Sequence, residues 1–309
     1  MDLDRIGIHR SVDAVFPAEV LETELSGLDV PVTIVESAAD LEGCSAVVTF
    51  SYEEEFPGTV DWIHSIQSGV DRFPFDHLRD TNTILTNSTG IHGDSVGETV
   101  TGYLLMFARK LHRHRWNQRD SRWDRPEWDH PFTIAGESIC VLGLGTLGMG
   151  IVERAAALGL TVSGVRKSGE PVDGVEPVHP PDRLETAVSS PRFVASTLPL
   201  TDETAGMVDK TVFERMRTDA YFINVGRGPV VDEPALISAI ESGEIAGAAV
   251  DVFETEPLPK SSPLWNMESV IVTPHVAAQT RDYYLAIADL IRTNVDRFSE
   301  GQPFHNRVV

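Results

Sequence analysis

Lysine is nearly missing from this 309-residue chain: four lysines stand among 25 basic residues, against 47 acidic ones, giving a formal net charge of -22. Such a surface repels nucleic acid and anionic membranes and excludes both as partners. It also repels itself in dilute buffer, whereas at about 1 M salt the screening length falls to about 3 Å. The composition therefore points to a halophilic protein from a high-salt cytoplasm. Cysteine is as scarce, with only Cys44 and Cys140, and Cys140 lies inside an apolar run, so a disulfide framework is not expected. No apolar run approaches the roughly 20 residues that span a bilayer, and the start, with Asp2, Asp4 and Arg5, has no signal-peptide segment. A soluble, cytoplasmic protein is expected.

What is present suits two ordinary domains: 41% hydrophobic residues and 24 glycines spread along the chain. Short apolar runs alternate with helical patterns, as in parallel sheets with helices on both faces. One set comprises Ile6 to His9, Val32 to Val35, Ala46 to Phe50, Trp62 to Ile66 and Thr83 to Leu85. An amphipathic stretch from Ser95 to Leu111 and an Arg- and Trp-rich stretch from His112 to His130 separate it from a second set. That set begins at Ile139 and continues through Thr161 to Val165, Phe193 to Ser196, Ala220 to Val225, Ala248 to Phe253 and Val270 to Val272. A closing helix, Arg281 to Ser299, is expected to return to the first domain.

The run Ile139-Cys-Val-Leu-Gly143-Leu-Gly145-Thr-Leu-Gly148 sets a G-x-G-x-x-G turn between a strand and a helix. Gly143 permits the tight turn, Gly145 lets a pyrophosphate approach the backbone, and Gly148 lets the helix pack against its strand. The N-H groups around Thr146 and Leu147 then point at the anion from the positive end of the helix dipole. After the next strand, where an NAD site places Asp or Glu for the ribose hydroxyls, this chain has Arg166-Lys167-Ser168. Two cations and a hydroxyl, with no carboxylate expected to repel it, suit the 2'-phosphate of NADP. NADP(H) is the expected cofactor, with NAD(H) as a possible substitute.

Three further strands each deliver an ionisable side chain to their carboxyl ends. Ala220 to Val225 runs into Gly226-Arg227-Gly228, and Asp232 is a suitable N-cap for the helix that follows. Ala248 to Phe253 ends in Glu254-Thr255-Glu256-Pro257, and Val270 to Val272 ends in Thr273-Pro274-His275. A guanidinium at this edge can grip a carboxylate by two hydrogen bonds, and an imidazole beside a carboxylate is suited to general acid-base work. Ligands of open α/β sheets bind there.

These motifs, together with Gln67-Ser-Gly-Val-Asp71, Asn87-Ser-Thr-Gly90, Val96-Gly-Glu98 and Ser196-Thr-Leu-Pro-Leu-Thr201, resemble the D-isomer-specific 2-hydroxyacid dehydrogenases over nearly the full length. Arg166 to Ser168 and Pro257 to Trp265 are most similar to the NADPH-dependent glyoxylate and hydroxypyruvate reductases within that family. The resemblance implies an α/β fold of two doubly wound parallel-sheet domains, a Rossmann domain at 95–282 inserted into a flavodoxin-like substrate domain at 1–94 and 283–309. It implies Arg227, Glu256 and His275 as the catalytic residues, with His275 as the general acid and base. It implies that N-H groups near Ser68 and Gly69 hold the substrate carboxylate, that Leu198, Pro199 and Thr204 line the cofactor, and that the Val225 carbonyl and Asp251 orient the nicotinamide amide. It implies a homodimer through the nucleotide domain, with the segment from Ser95 to His130 against its mate. A catalytically silent, nucleotide-sensing regulator of the same fold is the alternative of a different class, and the intact Arg227, Glu256 and His275 weigh against it.

Other candidates carry less. His112-x-His114 has no third placed ligand, so no metal is expected. His92 and the loop Ser51 to Phe56 are candidates for substrate specificity, with Glu53, Glu54 and Glu55 expected in solvent.

Overall fold

The computed structural model describes residues 3–309 and divides into two compact units, one formed by residues up to Ile91 together with Gln279–Val309, the other by His92–Ala278. In chain order the strands are β1 (Ile6–His9), β2 (Val32–Val35), β3 (Ala46–Thr49), β4 (Trp62–Ser65), β5 (Ile84–Thr86), β6 (Ser138–Leu142), β7 (Thr161–Val165), β8 (Val178–His179), β9 (Phe193–Ser196), β10 (Tyr221–Asn224), β11 (Gly247–Val250) and β12 (Val270–Val272). The helices are α1 (Ala18–Leu25), α2 (Phe75–Asp80), α3 (Gly93–Ala108), α4 (Leu111–Arg119), α5 (Thr146–Ala157), α6 (Leu184–Val188), α7 (Lys210–Arg215), α8 (Glu233–Glu241) and α9 (Tyr283–Ser299).

The first unit is a five-stranded parallel sheet in the order β2-β1-β3-β4-β5. Side chains alternate across a strand, so neighbours such as Val47 and Val48 face opposite ways and both faces must be covered. On one face Ile6, Ile8 and Val48 pack with Leu21 of α1 and with Ile287 and Ile291 of α9. On the other, Val47, Ile63 and Leu85 pack with Phe56 and Leu78. Burial on both faces explains why these strands read as continuous apolar runs. The closing helix does return to this unit, packing on α1, and the tail beyond it pairs antiparallel with β5 through Thr86 and Arg307.

The second unit is a seven-stranded parallel sheet in the order β12-β11-β10-β9-β6-β7-β8. Strand order reverses between β6 and β9, and the carboxyl ends at such a switch point form a ligand crevice. Strand β8, absent from the sequence reading, is a two-residue edge too short to give a periodic pattern.

The units meet the chain at 91/92 and 278/279 instead of the expected 94/95 and 282/283. The cause is the packing of α3 on α5, which reaches the first residue of α3. A Cβ on Gly150 would lie 1.9 Å from the Gly93 carbonyl oxygen, and one on Gly97 would lie 2.3 Å from that of Gly150. At the other boundary Ala277 is buried in this unit's core, and its carbonyl accepts from Thr99 Oγ1 at 2.9 Å.

The amphipathic stretch expected to run from Ser95 to Leu111 is two helices, α3 and α4, broken where Lys110 takes the left-handed conformation (φ +56°). That turn brings its amine over the Tyr221 ring, 5.1 Å from the centroid, and into a 2.5 Å hydrogen bond with the phenol oxygen. Burial pushes this lysine down to about 8.

Candidate active site

The glycine turn after β6 has the form an anion requires. Gly143 sits at φ +94°, where a side chain would be strained, and a Cβ on Gly148 would lie 2.0 Å from the Gly143 carbonyl oxygen. A Cβ on Gly145 would meet nothing within 4 Å, so the backbone there faces open space. Helix α5 begins at Thr146 with no side-chain cap, and Met149 N-H donates to the Gly145 carbonyl at 2.8 Å. The N-H groups of Thr146, Leu147 and Gly148 precede that bond and point along the helix axis, so the turn fits a pyrophosphate.

The neighbouring loop after β9 is tied to this turn, for Thr197 Oγ1 donates to the Gly143 carbonyl at 2.8 Å. Leu198 lies so near Gly226 that a Cβ there would sit 2.6 Å from the Leu198 carbonyl oxygen. Thr204 uses its hydroxyl inside its own turn, donating to the Pro199 carbonyl at 2.6 Å and accepting from Thr201 N-H at 2.8 Å. Val225 is buried, and its N-H donates to the Ser196 carbonyl at 3.0 Å.

At the end of β7, Arg166, Lys167 and Ser168 are exposed. Arg166 has no ion pair among the described residues. Lys167 does: its Nζ lies 2.5 Å from Glu203 Oε2. The expectation that no carboxylate stands near these cations is thus corrected, because Glu203 arrives from a loop 36 residues away. Ser168 Oγ accepts from Glu170 N-H at 3.3 Å.

Strands β10, β11 and β12 are neighbours, so their carboxyl ends bring Arg227, Glu256 and His275 to one edge of this unit. The flanking glycines of Arg227 are required by close backbone approach, since a Cβ on Gly228 would lie 1.9 Å from the Phe253 carbonyl. Half-buried Arg227 is further held by Asn224, whose Nδ2 donates to its carbonyl at 3.2 Å. Glu256 divides its oxygens: Oε1 accepts from Phe253 N-H at 3.0 Å, and Oε2 meets His275 Nδ1 at 2.8 Å. A carboxylate on Nδ1 assigns the proton to that nitrogen, leaving Nε2 as the atom able to exchange one. Both side chains remain partly exposed, 48% for His275 and 37% for Glu256, as groups that must reach a ligand do.

His275 sits at φ +55°, and the residue that holds it there is Asp251, 1% exposed. Its Oδ1 accepts from Thr273 Oγ1 at 2.5 Å and from Val276 N-H at 3.0 Å, its Oδ2 from Ala277 N-H at 2.9 Å, and its own carbonyl from His275 N-H at 2.8 Å. Tyr103 extends the chain, its hydroxyl 2.6 Å from Thr273 Oγ1. The turn is therefore pinned on both sides of His275, which is how a left-handed backbone at a non-glycine residue is sustained. The sequence reading missed Thr273 and Tyr103 in this role.

His92 is 5% exposed in the same unit. Burial, and next the charge of Arg227, push its imidazole down to about 4, so a neutral ring accompanies the guanidinium. His112 is also buried, at 8% exposed, with Nδ1 3.1 Å from the Met106 carbonyl and its ring edge-on to Phe107; those contacts make it a core histidine.

In the first unit, Ser68 and Gly69 lie on the loop after β4. Ser88 N-H donates to the Gln67 carbonyl at 3.0 Å and Asn87 Nδ2 to that of Ser68 at 2.7 Å. Of the three glutamates expected in solvent, Glu54 and Glu55 are exposed, but Glu53 is half-buried and pairs with buried His9 at 3.0 Å.

Residues 101–277 match the family described as D-isomer specific 2-hydroxyacid dehydrogenase, NAD binding domain. Glyoxylate/hydroxypyruvate reductase B of Enterobacter sp. (strain 638) is 33% identical over 272 residues, which span 84% of this chain and 82% of that relative. Among solved structures, a D-isomer specific 2-hydroxyacid dehydrogenase from Xanthobacter autotrophicus Py2, in complex with NADPH and MES, is 31% identical with a TM-score of 0.85, covering 100% of this chain and 98% of that one. The NADPH-dependent glyoxylate/hydroxypyruvate reductase from Sinorhizobium meliloti, in complex with NADP and sulfate, is 25% identical with a TM-score of 0.84, covering 99% and 98%.

Proposed function

The chain belongs to the D-isomer-specific 2-hydroxyacid dehydrogenase family, and we propose that within it the protein is an NADPH-preferring reductase of small 2-oxo acids with His275 as its general acid. The observation that carries this reading is the Glu256-His275 pair at 2.8 Å, at the sheet edge that also holds Arg227. Bound at the Gly143 to Gly148 turn, the dinucleotide supplies the hydride. Arg227 polarises the keto oxygen and grips the carboxylate. The loop at Ser68 and Gly69 offers N-H groups to a carboxylate. His275 Nε2 delivers a proton to the keto oxygen as it becomes a hydroxyl, and Glu256 balances the charge on the ring. In oxidation the same atom receives the proton. The D hand of the product follows from the family.

Preference for NADPH rests on Arg166, an exposed guanidinium where a ribose-binding carboxylate would otherwise stand. Similarity to relatives named for NADPH supports it, with NADH as the weaker donor. Initial rates against glyoxylate, hydroxypyruvate, pyruvate and larger 2-oxo acids, each with NADPH and NADH, test the reading. A higher kcat/KM with NADPH for at least one small 2-oxo acid supports it, and equal or better rates with NADH overturn the cofactor assignment.

The protein is further read as a cytoplasmic homodimer. No helix among the described residues is long and apolar enough to cross a membrane, and both cysteines are free. Trp123 and Trp128 are each 93% exposed, and Leu111 is 48% exposed on the adjoining α4. Aromatic side chains so placed suit an interface. Light scattering in molar salt should give twice the 33.9 kDa chain mass, and Trp123→Asp with Trp128→Asp should reduce it to one.

A further inference from the structure

We infer that Asn87 is a positioning residue for the substrate carboxylate: its side-chain amide fixes the Ser68-Gly69 peptide so that the Gly69 N-H faces the ligand. The inference rests on the reading that this loop takes the carboxylate. Strands β4 and β5 are parallel neighbours, so the loops that follow them leave the sheet at the same edge. Residues 87 and 88 then occupy the carbonyls of the substrate loop one after another. Ser88 Oγ donates to the Ser65 carbonyl at 2.9 Å, Ser88 N-H to Gln67 at 3.0 Å, and Asn87 Nδ2 to Ser68 at 2.7 Å.

In a trans peptide the C=O and N-H point in opposite directions. With the Ser68 carbonyl turned toward Asn87, the Gly69 N-H must point away from it. Within this unit neither the Ser68 nor the Gly69 N-H meets an acceptor among the described residues, whereas the carbonyls beside them are taken. The loop thus spends its acceptors on the protein and turns its donors outward, which is the polarity an anion needs.

Asn87 is itself held so that its amide can face only one way. Its Oδ1 accepts from Thr89 N-H at 3.3 Å, which assigns the NH2 group to Ser68. Its N-H donates to the Asn306 carbonyl at 3.2 Å, and its carbonyl accepts from Asn306 Nδ2 at 3.3 Å. Behind it, buried His64 lies 3.2 Å from Ser88 Oγ and 2.8 Å from Thr86 Oγ1. Asn87 is 9% exposed, and both ends of its amide are engaged.

The test compares KM and kcat for pyruvate and for methyl pyruvate with NADPH, together with NADPH affinity and melting temperature, in the wild type, Asn87→Ala and Asn87→Asp. Loss of one oriented hydrogen bond should raise the pyruvate KM by about tenfold, with kcat within about twofold. Methyl pyruvate KM and NADPH affinity should stay unchanged. Asn87→Asp, which sets an oxygen against the Ser68 carbonyl, should be the more damaging. If Asn87→Ala does not fold, Asn306→Ala should show the same acid-specific rise at smaller size. Equal rises for acid and ester, or none, overturn the inference. A wild type that does not prefer the acid overturns the reading beneath it, whereas an acid preference that survives in both Asn87 variants overturns the positioning role alone.

Discussion

Glu256 and His275 meet at 2.8 Å, carboxylate oxygen to ring Nδ1, while the second oxygen of Glu256 is anchored by Phe253 N-H. The carboxylate is therefore fixed before it orients the ring. Glu256→Gln keeps the shape but can present an NH2 group to Nδ1, which favours the wrong tautomer. A charge-assisted hydrogen bond contributes about 1.5–3 kcal/mol, so kcat should fall by roughly 10- to 100-fold with little change in NADPH affinity. Steady-state kinetics with a fluorescence titration of NADPH would check this; an unchanged kcat would remove Glu256 from the mechanism.

Arg166 and Lys167 should not contribute equally to cofactor choice. Lys167 lies 2.5 Å from Glu203, so a 2'-phosphate must compete with a carboxylate for it, whereas Arg166 has no ion pair among the described residues. Arg166→Ala should raise the NADPH KM more than Lys167→Ala does, and neither should move the NADH KM much. Glu203→Gln should lower the NADPH KM slightly. The reverse ranking of the two cations would place the phosphate elsewhere.

Acid should destabilise the fold through buried histidines. Burial pushes His64 down to about 3, so the folded protein keeps this ring neutral where the unfolded chain binds a proton. Its stabilising contribution is full above the unfolded value near 6.5 and is lost as pH falls toward 3. His64→Gln should flatten the fall in unfolding free energy between pH 6 and pH 4 by up to about 1.4 kcal/mol per pH unit. Urea titrations at several pH values measure it, and identical slopes in the two proteins would contradict the assignment.

A net charge of -22 must be screened before acidic surfaces approach one another. Dialysis from molar salt into dilute buffer should inactivate the protein and lower its melting temperature. Activity and melting temperature that stay constant across that range would refute the halophilic reading.

The parts of the site that were legible in the sequence are those made by neighbours in the chain. The glycine turn lies between a strand and its own helix, and Arg227, Glu256 and His275 each follow a strand, so parallel pairing alone brings them to one edge. What was not legible depends on distant partners. Asp251 binds groups 22 to 26 residues away, and its role in holding His275 at φ +55° needs the path of the whole turn. Glu203 reaches Lys167 from another loop, and Glu53 reaches His9 across the first unit. The break at Lys110 escaped because its apolar pattern continues through it; the left-handed residue is sustained by contacts with Tyr221, 111 residues on.

We propose that His275 moves the proton and does not hold the cofactor. It is tested most directly by His275→Gln, with NADPH affinity and single-turnover reduction measured on the same preparation. The variant should keep wild-type affinity for NADPH while its reduction rate falls by about two to four orders of magnitude, the range for a positioned acid-base group. A variant that reduces its 2-oxo acid at the wild-type rate, or that loses NADPH affinity while keeping turnover, would contradict it.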